Sequence, residues 1–119
     1  FGTGAVGLAA VMGAKLAGAT TIVAVDPRED RRALALELGA THAVEAGPQA
    51  AQAVIEATGG GAHAAVDTTA RADVLGQAVL ALRPRGTLAV VGLGGSMMKA
   101  AMATARGSPP CARRRRVPS

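Results

Sequence analysis

The feature that most constrains this fold is a repeated alternation of short β-branched runs with longer Ala- and Leu-rich segments. "TTIVAVD" (Thr20–Asp26), "THAVEA" (Thr41–Ala46), "HAAVDTT" (His63–Thr69) and "TLAVVG" (Thr87–Gly92) are the runs. The first is continuously apolar and ends on an acid, the pattern of a strand covered on both faces of a parallel sheet. Between the runs the spacing predicts helices. Ala5–Leu16 ends near Gly18 and, apolar on nearly all sides except Lys15, is expected to be largely buried. Pro27 breaks the first run, and Asp30 is placed to cap a helix over Arg31–Leu38 that closes at Gly39. Gln49–Ala57 sets Ala50, Val54 and Ala57 on one face before Gly59–Gly61 stops it, and Arg71–Leu82 leads into a turn at Arg83–Gly86. Strands separated by helices of this length make right-handed βαβ units and a parallel sheet.

Composition narrows the classes open to such a chain. Its 119 residues suffice for one core of moderate size, built from Ala, Val, Leu, Ile and Met because Phe1 is the sole aromatic residue. No apolar run reaches the roughly 18 to 20 residues of a membrane span, and the N-terminus lacks the pattern of a signal peptide. One cysteine, Cys111, excludes an internal disulfide framework and fits a reducing cytoplasm. The formal net charge of +5 would suggest nucleic acid, yet it is unevenly placed. Residues 1–95 carry all eight acids against seven Lys and Arg, whereas residues 96–119 hold six basic residues and no acid. Two domains of unlike character are therefore expected: residues 1–95 globular and nearly neutral, residues 96–119 a basic and disordered tail.

Gly2-Thr3-Gly4-Ala5-Val6-Gly7 is a G-x-G-x-x-G immediately before the first helix, and Asp26 closes the next strand 19 residues after Gly7. That context fits the dinucleotide-binding fingerprint of a Rossmann-type, doubly wound parallel sheet. Gly2 permits the tight turn, Gly4 the close approach of a pyrophosphate, and Gly7 the packing of helix on sheet. The N–H groups near Ala5 and Val6 point at the phosphates. Asp26 accepts hydrogen bonds from an adenosine ribose and repels a 2′-phosphate, which favours NAD; Arg28, Arg31 and Arg32 nearby weaken that preference. Such turns normally follow a strand, and only Phe1 stands before Gly2. The expected sheet is therefore incomplete, with its first strand largely missing and its sixth absent. A chain with that gap is expected to be marginally stable or aggregation-prone.

With these residues placed, the chain resembles the zinc-dependent, medium-chain alcohol dehydrogenases, most of all their aryl-alcohol branch. The resemblance rests on "FGTGAVGLAAVMGAK", "ELGATH" and "D-T-T-x-R" and runs to about Gly94. It implies that Arg31 reaches the adenosine ribose, and that Thr68, Thr69 and Arg71 lie along the cofactor. It also implies that the backbone of Val91, Gly92 and Leu93 meets the nicotinamide carboxamide. The activity implied is hydride transfer between an alcohol and NAD by a cytoplasmic, homo-oligomeric enzyme. Catalytic zinc belongs, on this resemblance, to a separate domain. The one Cys and two His here have no ligand-like spacing, so this chain is expected to offer neither catalytic residues nor a metal site.

Other readings remain open at this level. A methyltransferase binding S-adenosylmethionine also uses a glycine turn and an acid ending the second strand, though Gly7 and "ELGATH" disfavour it. A basic-tailed module binding nucleic acid or a protein partner is disfavoured because Arg113–Arg116 have no aromatic neighbours for base stacking. His42 and His63 read as structural or exposed. Asp67, at a strand's carboxyl end, reads equally as a functional acid and as the cap of the following turn.

Overall fold

The computed structural model describes residues 1–91. Its elements alternate as expected: α1 (Ala5–Leu16), β1 (Val23–Asp26), α2 (Glu29–Leu38), β2 (His42–Glu45), α3 (Ala50–Thr58), β3 (Ala62–Asp67), α4 (Ala72–Leu80) and β4 (Leu82–Val90). β1 pairs in parallel with β2, and β3 in parallel with β4. Among the described residues β1 and β3 do not pair with each other, so the strands form two two-stranded sheets. Phe1 and Gly2 lie between them, bonded to both. The Phe1 amino group donates to the Val66 carbonyl (2.8 Å), and the Gly2 N–H donates to the Val25 carbonyl (2.8 Å). The spatial order β2-β1-(Phe1)-β3-β4 is that of a doubly wound Rossmann-like sheet, with Phe1 and Gly2 at its central position.

Helices cover both faces. Val11 of α1 packs with Ile22, Ala24 and Ala35, while Val54 of α3 packs with Val25, Ala50 and Ala81. Among the described residues, seven of the eleven buried hydrophobic residues are Ala. Each Ala removes less apolar surface than a Val or Leu, at about 0.8 kcal/mol per missing buried CH₂, so close backbone approach rather than side-chain bulk must hold the layers together.

Several boundaries depart from the sequence reading. β1 starts at Val23 rather than Thr20, because the Ile22 N–H is taken by the Thr41 hydroxyl (2.9 Å) and not by a ladder. α2 begins at Glu29 with Arg28 at its N-cap, and Asp30 caps nothing. The Asp26 carboxylate accepts the Arg28 N–H (2.8 Å) and fixes the turn there. Asp30 is held by Arg28 (2.8 Å) and, with Glu29, lays negative charge on the first turn. α4 ends at Leu80, since the Ala81 carbonyl accepts from Ala62 and Leu82 enters the sheet. Arg83–Gly86 is an outward bulge within β4 rather than a separate turn: Ala62 faces Leu82 but Ala64 faces Thr87. α1 is not largely buried. Only Gly7 and Val11 are, and Val6 and Leu16 are 54% and 89% exposed. An all-apolar helix still meets the sheet along one stripe, and among the described residues nothing covers its outer face.

Candidate functional site

The carboxyl ends of all four strands meet at the turn that opens α1. The Thr3 N–H donates to Asp26 Oδ2 (2.8 Å), tying the turn to β1. The Thr68 N–H and hydroxyl both donate to the Phe1 carbonyl (3.0 and 3.1 Å), and the hydroxyl also reaches the Gly2 carbonyl (3.2 Å), tying it to β3. The Ala46 N–H donates to the Asp26 carbonyl and the Val91 N–H to the Asp67 carbonyl, which adds the ends of β2 and β4.

Gly2 holds φ +87°, a left-handed conformation that side chains disfavour, and a Cβ there would stand 2.5 Å from Thr68 Oγ1. A Cβ at Gly7 would strike the Gly2 carbonyl oxygen, so α1 starts directly against the turn's own backbone. Gly4 is different: a Cβ there meets nothing within 4 Å. The space over Gly4 is open, and Gly4 is the N-cap of a helix with no capping side chain and no acid in its first turn. The N–H groups of Ala5, Val6 and Gly7, ahead of the first helical bond at Leu8, are thus left for an anion. This cradle fits a pyrophosphate.

Asp26 is 2% exposed. Burial by itself raises a carboxyl pKa. The N–H bonds from Thr3 and Arg28, helped by the Arg31 charge 4.0 Å away, outweigh it and hold Asp26 below the usual carboxylate range. The folded-state pKa therefore lies below the unfolded value of about 3.9. The resulting stabilisation is full above that value and is lost as pH falls through the folded one. Asp26→Asn turns an NH₂ group toward one of two N–H donors. It is expected to destabilise the chain by about 1–3 kcal/mol at neutral pH and to remove the Asp26 share of the stability lost as pH falls below about 4, as read by urea melts.

Of the arginines around Asp26, Arg28 is engaged with Asp30 and Arg32 donates to the Asp26 carbonyl (2.8 Å), leaving Arg31, 44% exposed, nearest the carboxylate. Thr69 donates its N–H and hydroxyl to Asp67 Oδ1 (3.2 and 2.8 Å), so Asp67 does cap the turn. Its Oδ2 is fully buried without a partner. Arg71, at the N-cap of α4, is paired with Asp73 (3.0 Å), which offsets its unfavourable place on the helix dipole. Val91 lies at the sheet's carboxyl end beside Asp67; Gly92 and Leu93 lie outside the described residues, as do the tail residues 96–119.

Sequence reasoning missed Thr3, which occupies an unspecified position of the motif yet is the turn's link to Asp26; its own hydroxyl is buried and unpartnered. It also missed a cleft of about 250 Å³ lined by Phe1, Val25, Ala46, Pro48, Val74 and Gln77. Phe1 as sole aromatic residue was the available signal. Among the described residues no group of three or more His, Cys, Asp or Glu is placed to hold a metal ion, and no zinc step is derived from them.

Fold and turn together define a Rossmann-like α/β domain. The chain belongs to the zinc-binding dehydrogenase family, which matches residues 5–115. It is similar to a geraniol dehydrogenase of Castellaniella defragrans, 47% identical over 95 residues, which cover 78% of this chain and 26% of that protein. Two crystal structures are similar as well. An alcohol dehydrogenase zinc-binding domain protein from Burkholderia ambifaria is 53% identical with TM-score 0.75, over 78% of this chain and 25% of that one. A benzyl alcohol dehydrogenase from Acinetobacter calcoaceticus is 45% identical with TM-score 0.74, over 78% and 26%. The chain thus spans about a quarter of the length of these relatives.

Proposed function

We propose that residues 1–95 are the NAD-binding domain of an alcohol dehydrogenase, followed by a basic tail over residues 96–119. The observation that carries this reading is the Thr3–Asp26 bond, which joins the open, uncapped start of α1 to a buried carboxylate. Phosphates and ribose can therefore be met at one place. The first-turn N–H groups hold the pyrophosphate, Asp26 accepts from the ribose hydroxyls through its remaining lone pairs, and Arg31 flanks them. The cleft beside Phe1 and Val25 would hold the adenine ring, and Thr68, Thr69 and the Val91–Leu93 backbone would lie along the nicotinamide half. When bound, NAD supplies the hydride acceptor. The similarity to geraniol and benzyl alcohol dehydrogenases supports a primary, allylic or aryl alcohol as substrate of the whole enzyme. A cytoplasmic homo-oligomer is the form proposed for that enzyme. Among the described residues no helix is long and apolar enough to cross a membrane.

Calorimetry tests the reading. The 119-residue chain is expected to bind NAD at least about tenfold (1.4 kcal/mol) more tightly than NADP, because Arg28 and Arg32 are committed elsewhere and cannot neutralise a 2′-phosphate against Asp26. Equal affinities would refute the NAD assignment. Binding of S-adenosylmethionine in place of either would refute the dehydrogenase reading. Since no catalytic residue is assigned in this chain, no alcohol-dependent NADH production is expected from it.

A further inference from the structure

Three arginines follow Asp26 closely, and each is held differently. Arg32 donates to the Asp26 carbonyl (2.8 Å), and Arg31 stands 4.0 Å from the Asp26 carboxylate. Arg28 turns the other way, to Asp30. Its Nε–H donates to Asp30 Oδ1 (3.1 Å) and its Nη2–H to Oδ2 (2.8 Å), a two-point clasp. These bonds hold the Asp30 carboxyl below the usual carboxylate range, so at neutral pH the clasp is fully charged. The same arrangement recurs at α4, where Arg71 at the N-cap clasps Asp73 through Nε (3.1 Å) and Nη2 (3.0 Å). In both helices the acid takes the second position, where the helix dipole favours it, and reaches back to a cation that the dipole disfavours. What differs is the neighbour. The Arg28 N–H is bonded to Asp26 Oδ1 (2.8 Å), so this clasp stands beside the carboxylate proposed to meet the ribose.

We propose that Asp30 is a specificity residue for the cofactor, acting through Arg28: it occupies the guanidinium edge that would otherwise receive a 2′-phosphate. This role rests on the NAD-binding reading of residues 1–95, and Asp30 is the residue that disarms Arg28 there. A phosphate on the ribose 2′ oxygen would be brought to the Asp26 carboxylate, on which the Arg28 N–H already sits. Phosphate takes an arginine by the same kind of paired N–H groups that Asp30 engages, so acid and phosphate compete for one edge. Arg32 is restrained by a main-chain carbonyl, which no side-chain substitution removes, and Arg31 faces Asp26 itself. Arg28 is thus the arginine whose restraint is a replaceable side chain. Both members of the clasp are exposed, 59% and 67%, and an exposed pair is weak. Its effect on selection is therefore several-fold rather than absolute, with buried Asp26 supplying the remainder.

Calorimetry with NAD and NADP on the full chain tests this, in the parent, Asp30→Asn, Arg28→Gln and the double variant. Asp30→Asn is expected to bind NADP about threefold to fivefold more tightly, with NAD affinity within about twofold of the parent. Loss of an acid from the helix start alone would act on both dinucleotides alike and leave their ratio where it was. In the Arg28→Gln background the Asp30 substitution is expected to change neither affinity. A folded Asp30→Asn chain with the parent's ratio would overturn the proposal. NADP tightened equally with and without Arg28 would also overturn it, since Asp30 would then act by its own charge. The clasp itself is read without cofactor, as exchange of the Arg28 Nε–H with water, expected several-fold faster in Asp30→Asn. Unchanged exchange would overturn the clasp. Faster exchange with neither dinucleotide bound by the parent would overturn the NAD-binding reading, and the specificity role with it.

Discussion

Gly7→Ala is expected to unfold the chain or to lower its stability by at least about 3 kcal/mol in a urea melt. The added methyl would enter the Gly2 carbonyl oxygen, a backbone atom. A flexible side chain could move aside; this oxygen cannot. Gly2 is held by its N–H bond to Val25, by the Thr68 hydroxyl on its carbonyl, and by a φ of +87° that leaves few alternatives. Relief requires α1 to lift from the turn, and with it Val11 from Ile22, Ala24 and Ala35. Ordinary overpacking costs about 1–3 kcal/mol, and a backbone obstacle belongs at or beyond the upper end. An alanine variant within about 0.5 kcal/mol of the parent would show that the first turn of α1 does not rest on Gly2.

Gly4→Ala should do the reverse: leave folding intact and damage binding. Nothing lies within 4 Å of the new methyl, and Gly4 sits at φ −74° and ψ −162°, extended backbone open to alanine. Stability should be unchanged or higher by about 0.4–1 kcal/mol, since alanine restricts the unfolded chain. The methyl would instead project into the open space over the first-turn N–H groups, where the pyrophosphate is proposed. NAD affinity measured by calorimetry is expected to fall about tenfold or more, equivalent to 1.4 kcal/mol. Two glycines of one motif thus separate a structural task from a binding task. Retained affinity in a folded Gly4→Ala variant would remove the pyrophosphate from this cradle.

The alternation of elements was legible because it follows from local patterning. α1 appears at Ala5–Leu16 as the sequence reading placed it, and each apolar run overlaps its strand, with β1 and β2 lying wholly inside theirs while β3 and β4 start earlier, at Ala62 and Leu82. What patterning missed depended on partners distant in the chain. Asp30 has the chemistry of a cap, but Arg28 captures it while Asp26 fixes the turn. The Arg83–Gly86 segment looks like a turn in isolation, yet β3 pairs on either side of it. Leu34 is 40% exposed while Ala35 between α1 and β1 is fully buried, because close approach there leaves room only for a methyl. At the site, the glycines and Asp26 were legible from spacing. Thr3, Thr68 and the orphaned oxygen of Asp67 were not, since their roles arise from strand ends that meet in space.

By itself the sequence determined the α/β class, the glycine turn and the acid 19 residues beyond it, all properties of residue type and spacing along one chain. Only the tertiary structure decided how these are joined. It bound Thr3 to Asp26 and Thr68 to Gly2, left the space over Gly4 open, and seated Phe1 and Gly2 between the two sheets. The physical reason is that backbone hydrogen bonds and excluded volume act between residues 23 to 67 positions apart, where periodicity carries no information.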